Sequence, residues 1–155
     1  MDFKLIGSAI GIGLVIIYAV GSGIWVSNSP GWYSSLIRPS WQPPDFVFGL
    51  IWPYNFTILA ITGWIITNRL NPIWNYTWTS TFALSVIAAL VWAYQFYVPH
   101  NLLIASIALL IVVVLTLPLT VIAFKTNLYL GIAIIPYQVW VVVACGLSFN
   151  YYKLN

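Results

Sequence analysis

The side chains of this chain best suited to chemistry are aromatic, and they recur at helical spacing. Trp52 and Phe56 stand at i and i+4, as do Trp92 and Phe96, while Tyr137, Trp140 and Ala144 stand at i, i+3 and i+7. Each set occupies one face if its segment is an α-helix. Rings held this way stack on a flat apolar molecule, and their N–H and O–H groups can hold a polar edge. Taken singly, such a ring more often packs a bundle or faces lipid than lines a pocket. Convergence of three is what points to a pocket.

Other chemistries lack their residues. No His, Cys or acidic residues have metal-ligand spacing, there is no Gly-rich phosphate loop, and no nucleophile has a nearby base. Hydrolytic and metal chemistry are therefore not expected, and no cofactor is required. The acids Asp2 and Asp45 fall at opposite membrane faces in the arrangement below and cannot form a carboxylate dyad. Cys145 lies alone in an apolar run and reads as a small hydrophobe. His100 is either an interfacial polar residue or an iron ligand. Arg38 is either a solvated loop charge or a guanidinium placed to pair with a ligand carboxylate.

The elements that position these residues follow from composition. A chain of 155 residues that is 62% hydrophobic and 5% charged, with mean hydropathy +0.97, has too little interior to hide its apolar surface from water. Lipid is the matching solvent. A spanning helix needs about 20 apolar residues, and five runs qualify: Phe3 to Trp25, Phe46 to Thr67, Thr77 to Tyr97, Leu102 to Phe124 and Leu128 to Phe149. The expected fold is an all-α integral membrane bundle of five transmembrane helices, one domain over 1–155. Short breaks at Asn68 to Tyr76, Val98 to Asn101 and Lys125 to Asn127 make consecutive helices antiparallel neighbours. At about 1.5 Å rise per residue, Trp52, Trp92 and Trp140 then lie within roughly 15 Å of the helix ends beside the first connection.

That connection, Val26 to Asp45, carries Trp32, Tyr33 and Trp41, and is stiffened by Arg38-Pro39 and Pro43-Pro44. It is read as an ordered lid over the bundle mouth, the alternative being an interfacial loop anchored in headgroups. The basic residues Lys4, Arg38, Arg69, Lys125 and Lys153 are isolated, which disfavours a nucleic-acid partner. Three of them fall on the N-terminal face against two on the other, which leans toward a cytoplasmic N-terminus. The first run lacks a small-x-small cleavage site and is taken as a retained helix. No ionisable residue lies deep in a span, unlike in ion-coupled pumps. Gly7-x-x-x-Gly11 and Ser85-x-x-x-Ala89-x-x-x-Ala93 allow close helix approach within the chain or between copies. The Ser85, Ala89 and Ala93 face is the expected dimer contact.

Trp32-Tyr33-x-x-Leu36-x-Arg38-Pro39-x-Trp41-x-Pro43-Pro44, followed by Trp52, resembles the first loop and second helix of the TspO/MBR family of tryptophan-rich sensory proteins and translocator proteins. Pro136-Tyr137-x-x-Trp140-x-x-x-Ala144 resembles its fifth helix, and the five-span layout agrees over the whole chain. The resemblance implies a bundle, commonly a homodimer, that binds porphyrins, sterols and synthetic isoquinoline- or benzodiazepine-type ligands under the first loop. The ligand-binding residues expected from the ring spacing and the resemblance together are Trp32, Tyr33, Arg38, Pro43, Trp52, Phe56, Ala89, Trp92, Phe96, Tyr137, Trp140 and Ala144. A membrane receptor or sensor for tetrapyrroles (protoporphyrin or haem-like), in a bacterial cell membrane, is the expected function. One alternative is light-dependent degradation of protoporphyrin with Trp52 and Trp140 as catalytic residues, which the resemblance implies for some bacterial members; a second is a passive porphyrin or sterol carrier. The chain departs from the family pattern at Ala89, at Asn55-Phe56 and at Leu147-Ser148. These positions bear on the pocket's hydrogen bonding and hence on ligand choice. Leu147-x-x-x-Tyr151-x-Lys153 fits a cholesterol-recognition pattern that is common by chance, and sterol binding is not inferred from it.

Overall fold

Five long helices, each apolar enough to cross a membrane, make up most of the computed structural model, which describes residues 3–28 and 30–155. Asp2 lies outside the described residues. In chain order the helices are α1 (Phe3–Asn28), a short α2 (Pro30–Ser35), α3 (Asp45–Arg69), α4 (Pro72–Tyr97), α5 (Leu102–Thr126) and α6 (Leu128–Leu154). The protein is thus an all-α, multi-pass integral membrane bundle.

Asparagine sets the starts of α4, α5 and α6. Asn71, Asn101 and Asn127 each accept a hydrogen bond at the side-chain oxygen, from the N–H groups of Trp74, Ile104 and Leu130 at 3.3, 3.1 and 2.8 Å. Each bond satisfies one of the donors that a helix leaves free at its first turn. The Asn71 cap, with Pro72 as the first helical residue, starts α4 earlier than Thr77. Trp74, Asn75 and Tyr76, which read as a polar break, are therefore helical. α6 likewise continues past Phe149 to Leu154.

The spans close into a ring in which α1 packs on α3 and α4, α4 on α5, α5 on α6, and α6 on α3. Leu59, Ile66, Phe82, Val112, Leu119 and Ile134 fill its centre and are fully buried. α1 approaches α3 closely where Gly11 faces Gly63, with only 4.0 Å from an added Cβ at either glycine to the other's Cα. At Gly7 an added Cβ would fall 2.8 Å from Thr67. The Gly7/Gly11 motif therefore serves packing within the chain.

The same holds for the small residues of α4, against the sequence expectation. Ser85, Ala89 and Ala93 are at most 1% exposed within a single chain, so they cannot form a dimer face. Small side chains at buried positions of this kind let neighbouring helices approach closely.

Candidate ligand pocket

A cavity of about 660 Å³ lies at the end of the bundle where the first connection folds back. α1 contributes its small upper residues Ala19, Ser22, Gly23 and Val26 to the wall; α3 contributes Asp45, Phe48, Trp52 and Phe56. α4 adds Trp92, Phe96 and Tyr97, and α6 adds Trp140, Ala144, Leu147, Ser148 and Tyr151. Tyr33, Ser34 and Arg38 come from the connection itself.

The rings brace one another. Trp52 stacks on Phe56 with centroids 5.5 Å apart, and Tyr18 meets both edge-on at 5.9 and 5.3 Å. Phe48 meets Trp140 edge-on at 5.0 Å. Edge-to-face and offset contacts of this kind favour a fixed wall. The indole Nε1 atoms of Trp92 and Trp140 are buried and donate to no protein acceptor. An acceptor on a bound molecule would satisfy them, since a buried donor left unpaired is costly.

The connection is tied down by rings and hydrogen bonds. Trp32 packs edge-on against Phe96 at 5.2 Å, and Tyr33 tilts against Tyr97 and Tyr151 at 6.1 and 5.8 Å. The Tyr151 hydroxyl donates to Gln42 Oε1 and lies 3.2 Å from the Tyr33 hydroxyl, which accepts from Gln42 Nε2 at 3.3 Å. The Asn155 side chain accepts from the Ile37 N–H at 2.9 Å and donates to its carbonyl at 3.3 Å. Trp41 lies against α6 at Gly146, where an added Cβ would come within 3.3 Å of its ring.

Of the residues singled out in the sequence, Tyr33, Arg38, Trp52, Phe56, Trp92, Phe96, Trp140 and Ala144 line this cavity. Trp32, Pro43, Ala89 and Tyr137 do not. Trp32 stands behind Phe96, and Pro43 is half-buried in the connection. Ala89 and Tyr137 are fully buried in the core. Both sit about one turn deeper than the Trp on their own helix, and side chains on α6 lean toward its N-terminal, deeper end. The α1 residues went unmarked in the sequence, since small side chains in an apolar run carry no signal. Tyr151 was discoverable: it continues the face of Trp140, Ala144 and Ser148 beyond the end assigned to that run.

The cholesterol-type pattern is split by this arrangement. Leu147 and Tyr151 are 5% and 3% exposed and face the cavity, whereas Lys153 is exposed. The three do not form one outward surface. His100 stacks on Trp32 rather than facing the cavity.

Among the described residues that line the cavity, the charged ones are Arg38 and Asp45. Arg38 Nη1 lies 3.6 Å from Asp45 Oδ1, and the guanidinium sits 5.8 Å from the centroid of Tyr33.

Five spans around an aromatic cavity define a multi-pass membrane bundle of the tryptophan-rich kind. The chain belongs to the TspO/MBR family, whose model matches residues 9–153. It is 34% identical over 131 residues to the tryptophan-rich protein TspO of Bacillus cereus, covering 80% of each chain. It is 28% identical over 133 residues to protein CrtK of Rhodobacter capsulatus, covering 82% of this chain and 81% of that one. With the tryptophan-rich sensory protein of Cereibacter sphaeroides it shares 26% over 129 residues, 80% and 77% of the two chains.

Proposed function

We propose that this protein is a membrane receptor or sensor whose cavity binds a flat, largely apolar tetrapyrrole such as protoporphyrin, with its acidic edge at the mouth. The observation that carries this is the wall itself: Trp52, Phe56, Trp92, Phe96 and Trp140 around about 660 Å³, with one guanidinium at the rim. That volume falls within the roughly 300–1,000 Å³ usual for small-molecule sites. The rings supply stacking area, the unpaired Trp92 and Trp140 donors suit ring or carbonyl acceptors, and Arg38 suits a carboxylate. Membership of a family that includes a protein named for a sensory role supports the same reading. Titration of the purified protein with protoporphyrin tests it. Saturable quenching of tryptophan fluorescence is expected, and its absence would sink the proposal.

A second reading is light-dependent degradation of the bound porphyrin, favoured by Trp52 and Trp140 both lying in the wall. Loss of the bound pigment's absorbance under illumination, against a dark control, separates it from binding alone. A homodimer remains a proposal as well, and it would use a face other than Ser85, Ala89 and Ala93.

A further inference from the structure

We propose that Asp45 is a built-in competitor for Arg38: its carboxylate holds the guanidinium at the cavity mouth, and an acidic ligand must displace it to bind there. This rests on the cavity being a site for flat acidic molecules, and it assigns to Asp45 the selection between acidic and neutral ligands.

Arg38 is the single cation and Asp45 the single anion among the lining residues, and the two lie 3.6 Å apart. Their side chains are 48% and 76% exposed. A pair this open holds the fold together weakly and is free to exchange partners. Arg38 also rests on the Tyr33 ring, which keeps its position when the carboxylate leaves.

Asp45 has somewhere to stay. It opens α3, in the first turn, where the helix dipole favours an anion, and the N-cap residue Pro44 offers no side-chain bond to those amides. Displacement from Arg38 therefore leaves the carboxylate in a favourable field, and ligand binding becomes an exchange of one carboxylate for another. The guanidinium has five N–H donors in a fork that fits a carboxylate with two parallel bonds, whereas Asp45 approaches it by a single contact at 3.6 Å. A ligand carboxylate can do better, but it sits beside the displaced Asp45 and is repelled. Neutral ligands meet neither effect.

The test compares protoporphyrin with its dimethyl ester, which has the same macrocycle without charge. Affinities of wild type and Asp45→Asn are measured by tryptophan quenching at low and high salt. The variant is expected to bind the diacid about two- to fivefold tighter at low salt, with a smaller gain at high salt and no change for the diester. In an Arg38→Gln background the Asp45→Asn gain should shrink, since only relief of repulsion is left, and Asp45→Glu should keep wild-type discrimination. Equal change for both ligands, no change for either, or weaker diacid binding by Asp45→Asn overturns the competition while the cavity reading stands. If wild type binds neither porphyrin, the cavity reading falls and this inference falls with it. Far-UV circular dichroism and the melting temperature in detergent report that the variants fold.

Discussion

The imidazole of His100 lies flat on the indole of Trp32, with centroids 4.0 Å apart and planes within 8° of parallel. His100 reaches this position with φ 59°, in the left-handed region that most side chains avoid. The stack joins the first connection to the turn between α4 and α5, two segments far apart in sequence. His100→Asn tolerates the same backbone and removes the ring. Amides of the connection, Gly31 to Gln42, should then exchange with solvent about three- to tenfold faster, as expected for the loss of one ring contact. Exchange in α5 should not change. Hydrogen exchange read by mass spectrometry checks both.

Trp52→Phe and Trp140→Phe keep a ring in the wall but shorten it. Each should weaken protoporphyrin binding by no more than about tenfold, since one aromatic contact contributes about 0.5–1.5 kcal/mol beyond its buried area. If the protein bleaches porphyrin in light, either change should nearly abolish bleaching, because phenylalanine is far harder to oxidise than tryptophan. Bleaching that survives both substitutions would remove the photochemical reading.

Ala89 has no exposed surface, and Ala93 one turn on is equally buried. Ala89→Leu should therefore act as overpacking, with a loss of about 1–3 kcal/mol of stability. A lower melting temperature in detergent is expected, with an unchanged oligomer distribution in the folded fraction. A shift from dimer to monomer at unchanged stability would restore the α4 face as a contact between copies.

Asn55 is fully buried in α3, and neither amide atom has a hydrogen-bond partner in the protein. Replacing an unpaired buried amide by an apolar group of like size removes a penalty of about 1–3 kcal/mol. Asn55→Leu should raise the melting temperature in detergent. A fall would show that the amide is paired in the membrane, and would make it a candidate contact for the ligand.

The sequence by itself determined the solvent, the number of spans and their antiparallel order. Each is a local property: an apolar run must be long enough to cross lipid, and short polar breaks leave no room for anything but a reversal. The motif from Trp32 to Pro44 with Trp52, and that from Pro136 to Ala144, also carried the family. The start of α4 was misplaced because Asn71-Pro72 looks like a break and acts as a cap. Which side of each helix faces inward was decided only by the tertiary structure. In water an inward face is marked by its apolarity, but lipid is as apolar as a core, so periodicity names a face without saying what it meets. Tyr137 and Trp140 are three residues apart on α6, yet one lies in the closed core and the other in the cavity wall. Ser85, Ala89 and Ala93 look like a surface for a second copy and are consumed inside the first. The approach of Arg38 to Asp45 had no signal either, since it depends on how the connection turns back over the helix ends, where Tyr33, Gln42 and Tyr151 meet.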